Sequence, residues 1–299
     1  MSRHTTYTGG AWFGAKESLK VSIGNLLLRY TGGHPDRDDR LRRNPLLGQL
    51  IRKAEDFNRC TLIRTEGDED IGAFSVLLRH HTSDYKVYNQ VLLEKEYKEL
   101  ADCVSRHVPG ESVRYVLDAG GNIGLTTLYL KKRFPRARVV TIEPDAKNFS
   151  LLQRNVHLNR LEGVSFLKAG LWGKAEVLDI DRGFRDGKEW SVALTAAGEG
   201  RGEAAGLPGV TVEDVLRRYG FSHLDVLKID IEGAERFVFA DNGHVRRFLA
   251  KVRFIAIEIH DEFNVREQIL RQLTENHFDY FHHGELTIGV NTRFTEKNG

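Results

Sequence analysis

A glycine-rich turn between a predicted strand and a predicted helix is the segment best suited to hold a small ligand. Apolar residues Val113 to Leu117 predict the strand, and Leu125 to Phe134 predict the helix. Glycines let the backbone approach a ligand closely, and the start of a helix offers free N–H groups. The turn therefore predicts a nucleotide-type site. Its expected binding residues are Asp118, Gly120, Gly121, Asn122 and Gly124.

The spacing within this turn separates it from two common phosphate-binding loops. A P-loop needs a Gly-Lys-Ser/Thr sequence, and this turn has no lysine. A dinucleotide-binding loop needs the register G-x-G-x-x-G, whereas the turn reads D-x-G-x-N-x-G from Asp118 to Gly124. An acidic residue at the end of the strand suits a ligand with a cationic amino-acid group better than a pyrophosphate. The predicted cofactor is S-adenosylmethionine.

A second acidic residue, Glu143, follows the predicted strand Val139 to Ile142 and lies nineteen residues beyond Gly124. Doubly wound folds place the acid that accepts hydrogen bonds from ribose hydroxyls at about this distance. We therefore expect Glu143 to bind the ribose of the cofactor. The remaining residues that we assign to the cofactor site are Pro144, Gly170, Leu171, Asp230, Gln90 and Tyr97.

Polar side chains also follow the next two predicted strands. Asp230 and Glu232 come after Leu224 to Ile229, and Glu258 and His260 close the strand Phe254 to Ile259. Ligands of open α/β sheets bind beyond the carboxyl ends of the strands, so these groups predict the catalytic site. His260 is the expected base because an unperturbed imidazole titrates near neutral pH. We expect Glu258 to hold its ring, and Asp230 or Glu232 to orient the acceptor or to serve as the base instead.

Three other functions stay open at this point. We assign no metal ligand, but Asp230, Glu232 and His260 could instead bind Mg²⁺ or Mn²⁺ and make the enzyme metal-dependent. A non-catalytic scaffold that binds the nucleoside would tolerate the loss of the carboxylates and of His260. A dehydrogenase that uses NAD would need a third glycine in a different register.

Four segments together resemble the FkbM family of S-adenosylmethionine-dependent methyltransferases. They are the LDAGGNIG turn, the IEPD strand end, the KIDIEGAE segment and a strand that closes in Glu-x-His. The resemblance spans about residues 113 to 290, and KIDIEGAE is its most specific part. It implies a Rossmann-like class I methyltransferase: an α/β, seven-stranded, mostly parallel, doubly wound sheet with a reversed last strand. It also implies O-methylation of a hydroxyl, with a sugar, glycan or natural product as the small-molecule acceptor.

The alternation of strands and helices after Val113 predicts a methyltransferase domain over residues 111–296.

Residues 1–110 are expected to form a mainly helical N-terminal extension that acts as a lid and recognises the substrate. The predicted elements before the sheet are helices at Ala15–Tyr30, Leu46–Phe57 and Tyr85–His107 and a hairpin from Cys60–Arg64 and Ala73–Arg79. Asp84 to Tyr97 suits a lid over the cofactor. Within the domain, Glu176–Ile180 and Val192–Thr195 suggest a hairpin, and Gly198–Gly209 suggests a mobile surface loop.

The composition narrows the choice of partners and compartment. The formal net charge of +2 provides no overall field for nucleic acid, and we expect neither nucleic-acid binding nor membrane insertion. Two cysteines are too few for a disulfide framework, and the first residues lack an apolar signal core. The sequence thus predicts a cytoplasmic enzyme, and it does not indicate an oligomeric state.

Overall fold

The computed structural model of the protein describes residues 4–8, 26, 46, 59–181, 193–198 and 203–295. The chain divides into two compact units, residues 1–85 and 86–299. This division comes earlier in the chain than the boundary at residue 110 that the sequence suggests. The helices expected at 15–30 and 46–57 fall outside the described residues, apart from Leu26 and Leu46, which are both helical.

The described part of the first unit is a three-stranded antiparallel sheet. Its strands are β1 (His4–Thr8), β2 (Cys60–Thr65) and β3 (Phe74–Arg79), in the order β1-β2-β3. The pairing of β2 with β3 confirms the predicted hairpin. Leu62 and Val76 are both buried and lie on opposite faces of this sheet, so both faces are covered at these positions.

The second unit alternates helices with strands. Its helices are α1 (Asp84–Tyr88, which begins at the end of the first unit), α2 (Lys98–His107), α3 (Leu125–Arg133), α4 (Ala146–Leu158), α5 (Val212–Tyr219), α6 (Glu235–Val238), α7 (Asn242–Leu249), α8 (Arg266–Glu275) and α9 (Thr292–Thr295). Its strands are β4 (Tyr115–Ala119), β5 (Arg138–Ile142), β6 (Val164–Leu167), β7 (Gly170–Leu171), β8 (Glu176–Asp181), β9 (Ala193–Ala196), β10 (Glu203–Val210), β11 (Leu224–Ile229), β12 (Val252–Glu258), β13 (Phe278–His283) and β14 (Leu286–Asn291). A π-helical turn occupies Asn89–Leu93, and short 3₁₀ turns occupy Gly110–Ser112 and Asp261–Phe263.

Seven of these strands form the central sheet, in the order β13-β14-β12-β11-β4-β5-β6. β4, β5, β6, β11 and β12 are parallel, and β14 runs antiparallel to both of its neighbours. The predicted mostly parallel sheet with a reversed last strand is therefore confirmed. Its inner strands are continuous apolar runs, and every residue of β11 is buried, as parallel strands covered on both faces require. The carboxyl ends of β4, β5, β11 and β12 consequently meet at one edge.

The segment predicted as one helix from Tyr85 to His107 is broken. After α1 and the π-helical turn, the chain reverses at Lys95, whose φ is 58°, before α2 begins at Lys98. The N–H of Glu96 bonds back to the carbonyl of Gln90 at 3.1 Å and closes this turn. Apolar periodicity did not reveal this break, because Val91 and Leu92 fit a helical pattern and are buried in the observed arrangement as well.

The prediction of a surface loop over Gly198–Gly209 is wrong for the residues that the structure describes there. Glu203–Val210 forms β10, which pairs with β7 and β8 in a four-stranded sheet of order β7-β10-β8-β9. Gly206, with a φ of 54°, lies at an irregularity in the pairing with β8. At Gly209 a Cβ would lie 3.0 Å from Leu178 Cδ1, so glycine here permits close packing. The expected hairpin of β8 with β9 is confirmed.

The helices in the described ranges include none that is long and apolar enough to cross a membrane.

Candidate active site

The turn after β4 owes its shape to glycines that approach other parts of the backbone. Gly120 has a φ of 82°, and a Cβ there would lie 1.7 Å from the carbonyl oxygen of Asp230. A Cβ on Gly121 would lie 2.2 Å from Thr141 Oγ1. Gly124 has a φ of 87° and is the residue before α3. These glycines therefore bring the turn against β11 and β5, and only a residue without a Cβ fits.

Glu143 lies behind this turn, at the end of β5. One of its oxygens accepts the N–H of Asn122 at 2.8 Å, and the other accepts the N–H of Asp145, also at 2.8 Å. Each carboxylate oxygen can accept a second hydrogen bond. Burial raises the pKa of Glu143 to about 8, although the two backbone N–H groups oppose that change. A buried acceptor with spare capacity, next to the glycine turn, fits the predicted role toward ribose hydroxyls.

Asp118 lies at the end of β4 and is fully buried. Its carboxylate accepts a hydrogen bond from Thr127 Oγ1 at 2.6 Å and lies 3.3 Å from Lys228 Nζ. Asp118 and Lys228 are register partners on the adjacent strands β4 and β11. The structure thus places Asp118, the acidic residue that begins the glycine turn, in a buried ion pair with Lys228. A role of Asp118 in cofactor binding stays a prediction.

Lys228, the first residue of the KIDIEGAE segment, connects that segment to the glycine turn after β4. Its ammonium donates to the carbonyl of Gly120 at 2.8 Å and lies 3.5 Å from Asp230 Oδ2. Burial disfavours the ammonium, but Asp118 and Asp230 outweigh that effect, so the pKa of Lys228 is raised. It also lies 5.9 Å from the centre of the buried Tyr97 ring, within the range of a cation–π interaction. Lys228 lines the cavity described below but was not among the site residues that the sequence predicted, although its segment was recognised.

A cavity of about 320 Å³ opens at this edge of the sheet. Gly120 and Asn122 form part of its wall, together with Gln90, Glu96 and Tyr97 from the broken helical segment. Asp230, Glu232, Glu258 and Glu285 complete an acidic lining. Five separate parts of the chain therefore meet at one site, and the predicted residues Gln90 and Tyr97 lie within it.

Glu96 and Glu285 belong to this lining but were not predicted. Gln90 Nε2 donates to Glu96 at 2.9 Å and to Glu285 at 3.3 Å. Burial raises the pKa of Glu96 to about 7, against the hydrogen bond from Gln90. Burial and the nearby Asp230 raise the pKa of Glu258 as well. The oxygens of Glu96, Glu258 and Glu285 approach within 4.8 Å of one another.

Seven predicted cofactor residues are not part of the cavity wall: Asp118, Gly121, Gly124, Glu143, Pro144, Gly170 and Leu171. The first four belong to the glycine turn or lie directly behind it, whereas the other three have different roles. Gly170 and Leu171 form β7, which pairs with β10, and both are buried. A Cβ on Gly170 would lie 2.3 Å from Leu194 Cδ1, so this glycine serves packing within the second sheet. Pro144 joins Glu143 to Asp145, which accepts N–H groups at the start of α4.

His260 is 3% exposed and directly follows β12 and Ile259. Its Nδ1 bonds to Oε1 of the fully buried Glu235 at 3.0 Å. The sequence assigned the holding of this ring to Glu258, which instead lies 3.5 Å from Nε2, with Glu232 at 3.6 Å. Burial disfavours the imidazolium, but Glu235 and the other carboxylates outweigh it, so the pKa of His260 is raised to about 9. Glu235 belongs to the recognised KIDIEGAE segment, but the sequence did not show that this carboxylate contacts His260.

The order of the central sheet, with its glycine turn after β4 and its acid after β5, defines a class I methyltransferase fold. Over residues 118–284, more than half of the chain, the sequence matches the family described as the methyltransferase FkbM domain. The chain belongs to the FkbM methyltransferase family.

Similar sequences and structures include proteins of known name. Methyltransferase sdnD of Sordaria araneosa is 31% identical over 192 residues, which cover 55% of this chain and 73% of that protein. The AMB antimetabolite synthetase AmbE of Pseudomonas aeruginosa is 31% identical over 209 residues, which cover 59% of this chain and 9% of that protein. Among solved structures, magnesium protoporphyrin IX methyltransferase from Synechocystis PCC 6803, with bound S-adenosylmethionine, is 13% identical. The matched region covers 70% of this chain and 82% of that protein, with a TM-score of 0.40.

Proposed function

We propose that this protein transfers a methyl group from S-adenosylmethionine to a hydroxyl group of a sugar, a glycan or a natural product. The observation that carries the proposal is the cavity, which joins the glycine turn on one side to the carboxylates after β11 and β12 on the other. Five carboxylates line it beside two lysines. That excess of negative charge suits a cofactor with a sulfonium and an ammonium group.

The residues present fit this cofactor. The turn at Gly120 and Asn122 and the spare acceptor capacity of Glu143 would hold the nucleoside, and Asp230, Gln90 and Tyr97 would face the amino-acid end. When bound, S-adenosylmethionine supplies an electrophilic methyl group. The protein's main task is then to hold an acceptor oxygen in line with the bond that breaks, since positioning contributes most to such displacements.

The acceptor must also lose its hydroxyl proton. We propose that His260, held at Nδ1 by Glu235, and the carboxylates of Asp230, Glu232 and Glu258 form the group that orients the hydroxyl and takes this proton. General-base assistance is worth about 10²–10⁴-fold in rate.

A second cavity, of about 460 Å³, is where we place the acceptor. It shares Lys86, Gln90, Glu96 and Glu285 with the first cavity, and the turn at Gly284 between β13 and β14 also lines it. Carboxylates and an amide on its wall suit a ligand with several hydroxyl donors. The name of the antimetabolite synthetase AmbE supports an acceptor from natural-product chemistry.

A thermal-shift comparison tests the choice of cofactor. S-adenosylhomocysteine at about 100 times its Kd should stabilise the protein by about 2.7 kcal/mol, which raises Tm by roughly 5–10 °C. NADH at the same concentration should leave Tm unchanged. Stabilisation by NADH but not by S-adenosylhomocysteine would contradict the proposal and favour a dehydrogenase.

The Glu143→Gln variant should bind S-adenosylhomocysteine about 30-fold more weakly, a loss of about 2 kcal/mol. The amide removes the charge and one of the two acceptor oxygens that the ribose hydroxyls would use. Isothermal titration calorimetry measures this change. Asp225→Asn is the matched control, because Asp225 also accepts two backbone N–H groups, from Arg114 and Tyr115, but lies at the start of β11. Equal affinity in wild type and Glu143→Gln would remove Glu143 from the site.

The same carboxylate predicts a pH dependence of binding. Because the pKa of Glu143 is raised to about 8 in the free protein, the group is protonated at lower pH and is then a weaker acceptor. Affinity for S-adenosylhomocysteine should therefore rise as the pH increases through about 8 and become constant above it. The Glu143→Gln variant should lack this component of the pH profile. Parallel profiles for both proteins would show that Glu143 does not control the affinity.

We further propose that residues 86–97 close over the bound cofactor as a lid, since this broken helical segment supplies Gln90, Glu96 and Tyr97 to the cavity. Hydrogen exchange with and without S-adenosylhomocysteine tests this proposal. Added protection across the segment is expected, with the start of β11, at Leu224, as an internal reference that should not change. Unchanged exchange from Lys86 to Tyr97 would indicate a packing role alone.

A further inference from the structure

His260 carries an unusual buried atom. Its Nδ1 bonds to Glu235, whereas its Nε2 has no hydrogen-bond partner among the described residues. Glu235 Oε1 also accepts the N–H of Ile231 at 3.2 Å, which fixes the carboxylate on the Nδ1 side of the ring. When the imidazole is neutral, an Nδ1–H that donates to this carboxylate leaves the lone pair on Nε2. Proteins use this arrangement to orient a histidine that binds a metal ion.

Nε2 is directed toward oxygen atoms of the cavity. Asp230, Glu232 and His260 each offer one atom, and these three atoms lie within 4.8 Å of one another. Glu232 reaches this position from a left-handed backbone conformation, with a φ of 52°. Such a conformation is strained for a non-glycine residue and is often found at functional sites.

The charges nearby also favour a cation. Asp230, Glu232, Glu235 and Glu258 surround the imidazole. The ammonium of Lys228 lies between Asp118 and Asp230, so the fully buried Asp118 takes up much of its charge. In the free protein the protonated ring of His260 faces these carboxylates, and a divalent ion would replace its proton.

We propose that Asp230, Glu232 and His260 bind one divalent transition-metal ion, with Glu235 as the residue that positions His260. Two carboxylates and one imidazole suit Mn²⁺ better than Ca²⁺, which prefers oxygen ligands alone. The site faces the cavity, so water or an acceptor hydroxyl can complete the coordination. This ion would lower the pKa of a hydroxyl bound to it and would replace Nε2 as the group that activates the hydroxyl. The metal site does not depend on the proposed function, because the free protein should already bind the metal.

Electron paramagnetic resonance measures Mn²⁺ binding directly, since the six-line signal of the hydrated ion disappears when the ion is bound. With the full chain and no cofactor, we expect one Mn²⁺ per chain. Glu232→Gln and His260→Ala should weaken binding at least 10-fold, and Glu235→Gln should weaken it by about 10–100-fold, as observed for groups that orient a metal-binding histidine. Glu232 is partly exposed, so its variant tests the site even if the others fold poorly.

Asp261→Asn is the matched control, because it removes a neighbouring carboxylate that pairs with Arg266 outside the site. It should bind Mn²⁺ as the wild type does. A hydrated-ion signal that persists at full intensity with protein in excess would overturn the proposal. An equal loss of Mn²⁺ affinity in Asp261→Asn and Glu232→Gln would overturn it as well. So would a loss of Mn²⁺ affinity that is confined to Glu285→Gln. Calorimetry with S-adenosylhomocysteine on the same samples separates this result from the proposed function: cofactor binding without Mn²⁺ binding refutes only the metal site.

Discussion

Replacement of Gly120 by alanine is expected to abolish cofactor binding and to destabilise the protein by about 3 kcal/mol. A left-handed conformation costs an alanine about 1–2 kcal/mol, and overpacking adds about 1–3 kcal/mol. The second effect arises because the new Cβ would lie 1.7 Å from the Asp230 carbonyl oxygen. The turn must therefore move by about 1 Å away from β11, and a displacement of that size can cost about 10²-fold in rate.

Gly220→Ala separates the two effects. Gly220 has a φ of 66°, but a Cβ there would meet no atom within 4 Å. This variant should lose only about 1–2 kcal/mol and keep its affinity for S-adenosylhomocysteine. Urea unfolding and calorimetry on both variants measure the difference. If Gly120→Ala binds the cofactor as tightly as Gly220→Ala does, the close approach of the turn to β11 is not required for the site.

Loss of His260 should have the largest effect on turnover. We expect His260→Ala to lower kcat by about 10²–10⁴-fold, while the affinity for S-adenosylhomocysteine changes little, because the imidazole faces the acceptor side. The expectation holds whether Nε2 takes the proton or binds a metal ion. Removal of the ring also leaves Glu235 as an unpaired buried carboxylate, which costs stability. His260→Asn avoids part of that cost, since its amide can still donate to Glu235, and it should lose turnover to a similar degree.

His244 provides the control for this experiment. This buried histidine belongs to α7, away from the cavity, and its Nδ1 lies 2.8 Å from Glu213. His244→Ala should reduce stability without the loss of kcat. Steady-state kinetics and urea unfolding on all three variants distinguish a role in catalysis from a role in stability alone. Near-normal turnover in both His260 variants would leave positioning alone to explain the rate.

The local pattern of the sequence is enough to predict much of the fold. The largely apolar run from Leu224 to Ile229 predicted β11 at its observed bounds. The glycine turn and Glu143 were found because their spacing reflects a local unit of one strand, one helix and the next strand. The observed bond between Asn122 N–H and Glu143 is the physical basis of that spacing.

The remaining part of the site depends on register and long-range contacts. Lys228 neutralises Asp118 because β11 pairs with β4 in one particular register, which a single sequence does not specify. Glu235 reaches His260 across 25 positions of the chain, and Glu285 reaches Gln90 across 195. The reversal at Lys95 and the strand β10 were missed for a related reason. Tertiary packing, and not local preference, determines both.

Transfer of a labelled methyl group tests the central claim most directly. The wild-type protein, with labelled S-adenosylmethionine and an extract of its host, should produce a labelled small molecule in which the methyl group is bound to oxygen. Glu143→Gln and His260→Ala should produce much less of it, and His244→Ala should produce the normal amount. A label found on nitrogen or carbon would contradict O-methylation. An absence of any labelled product, although the protein binds S-adenosylhomocysteine, would instead indicate a non-catalytic protein that binds the nucleoside.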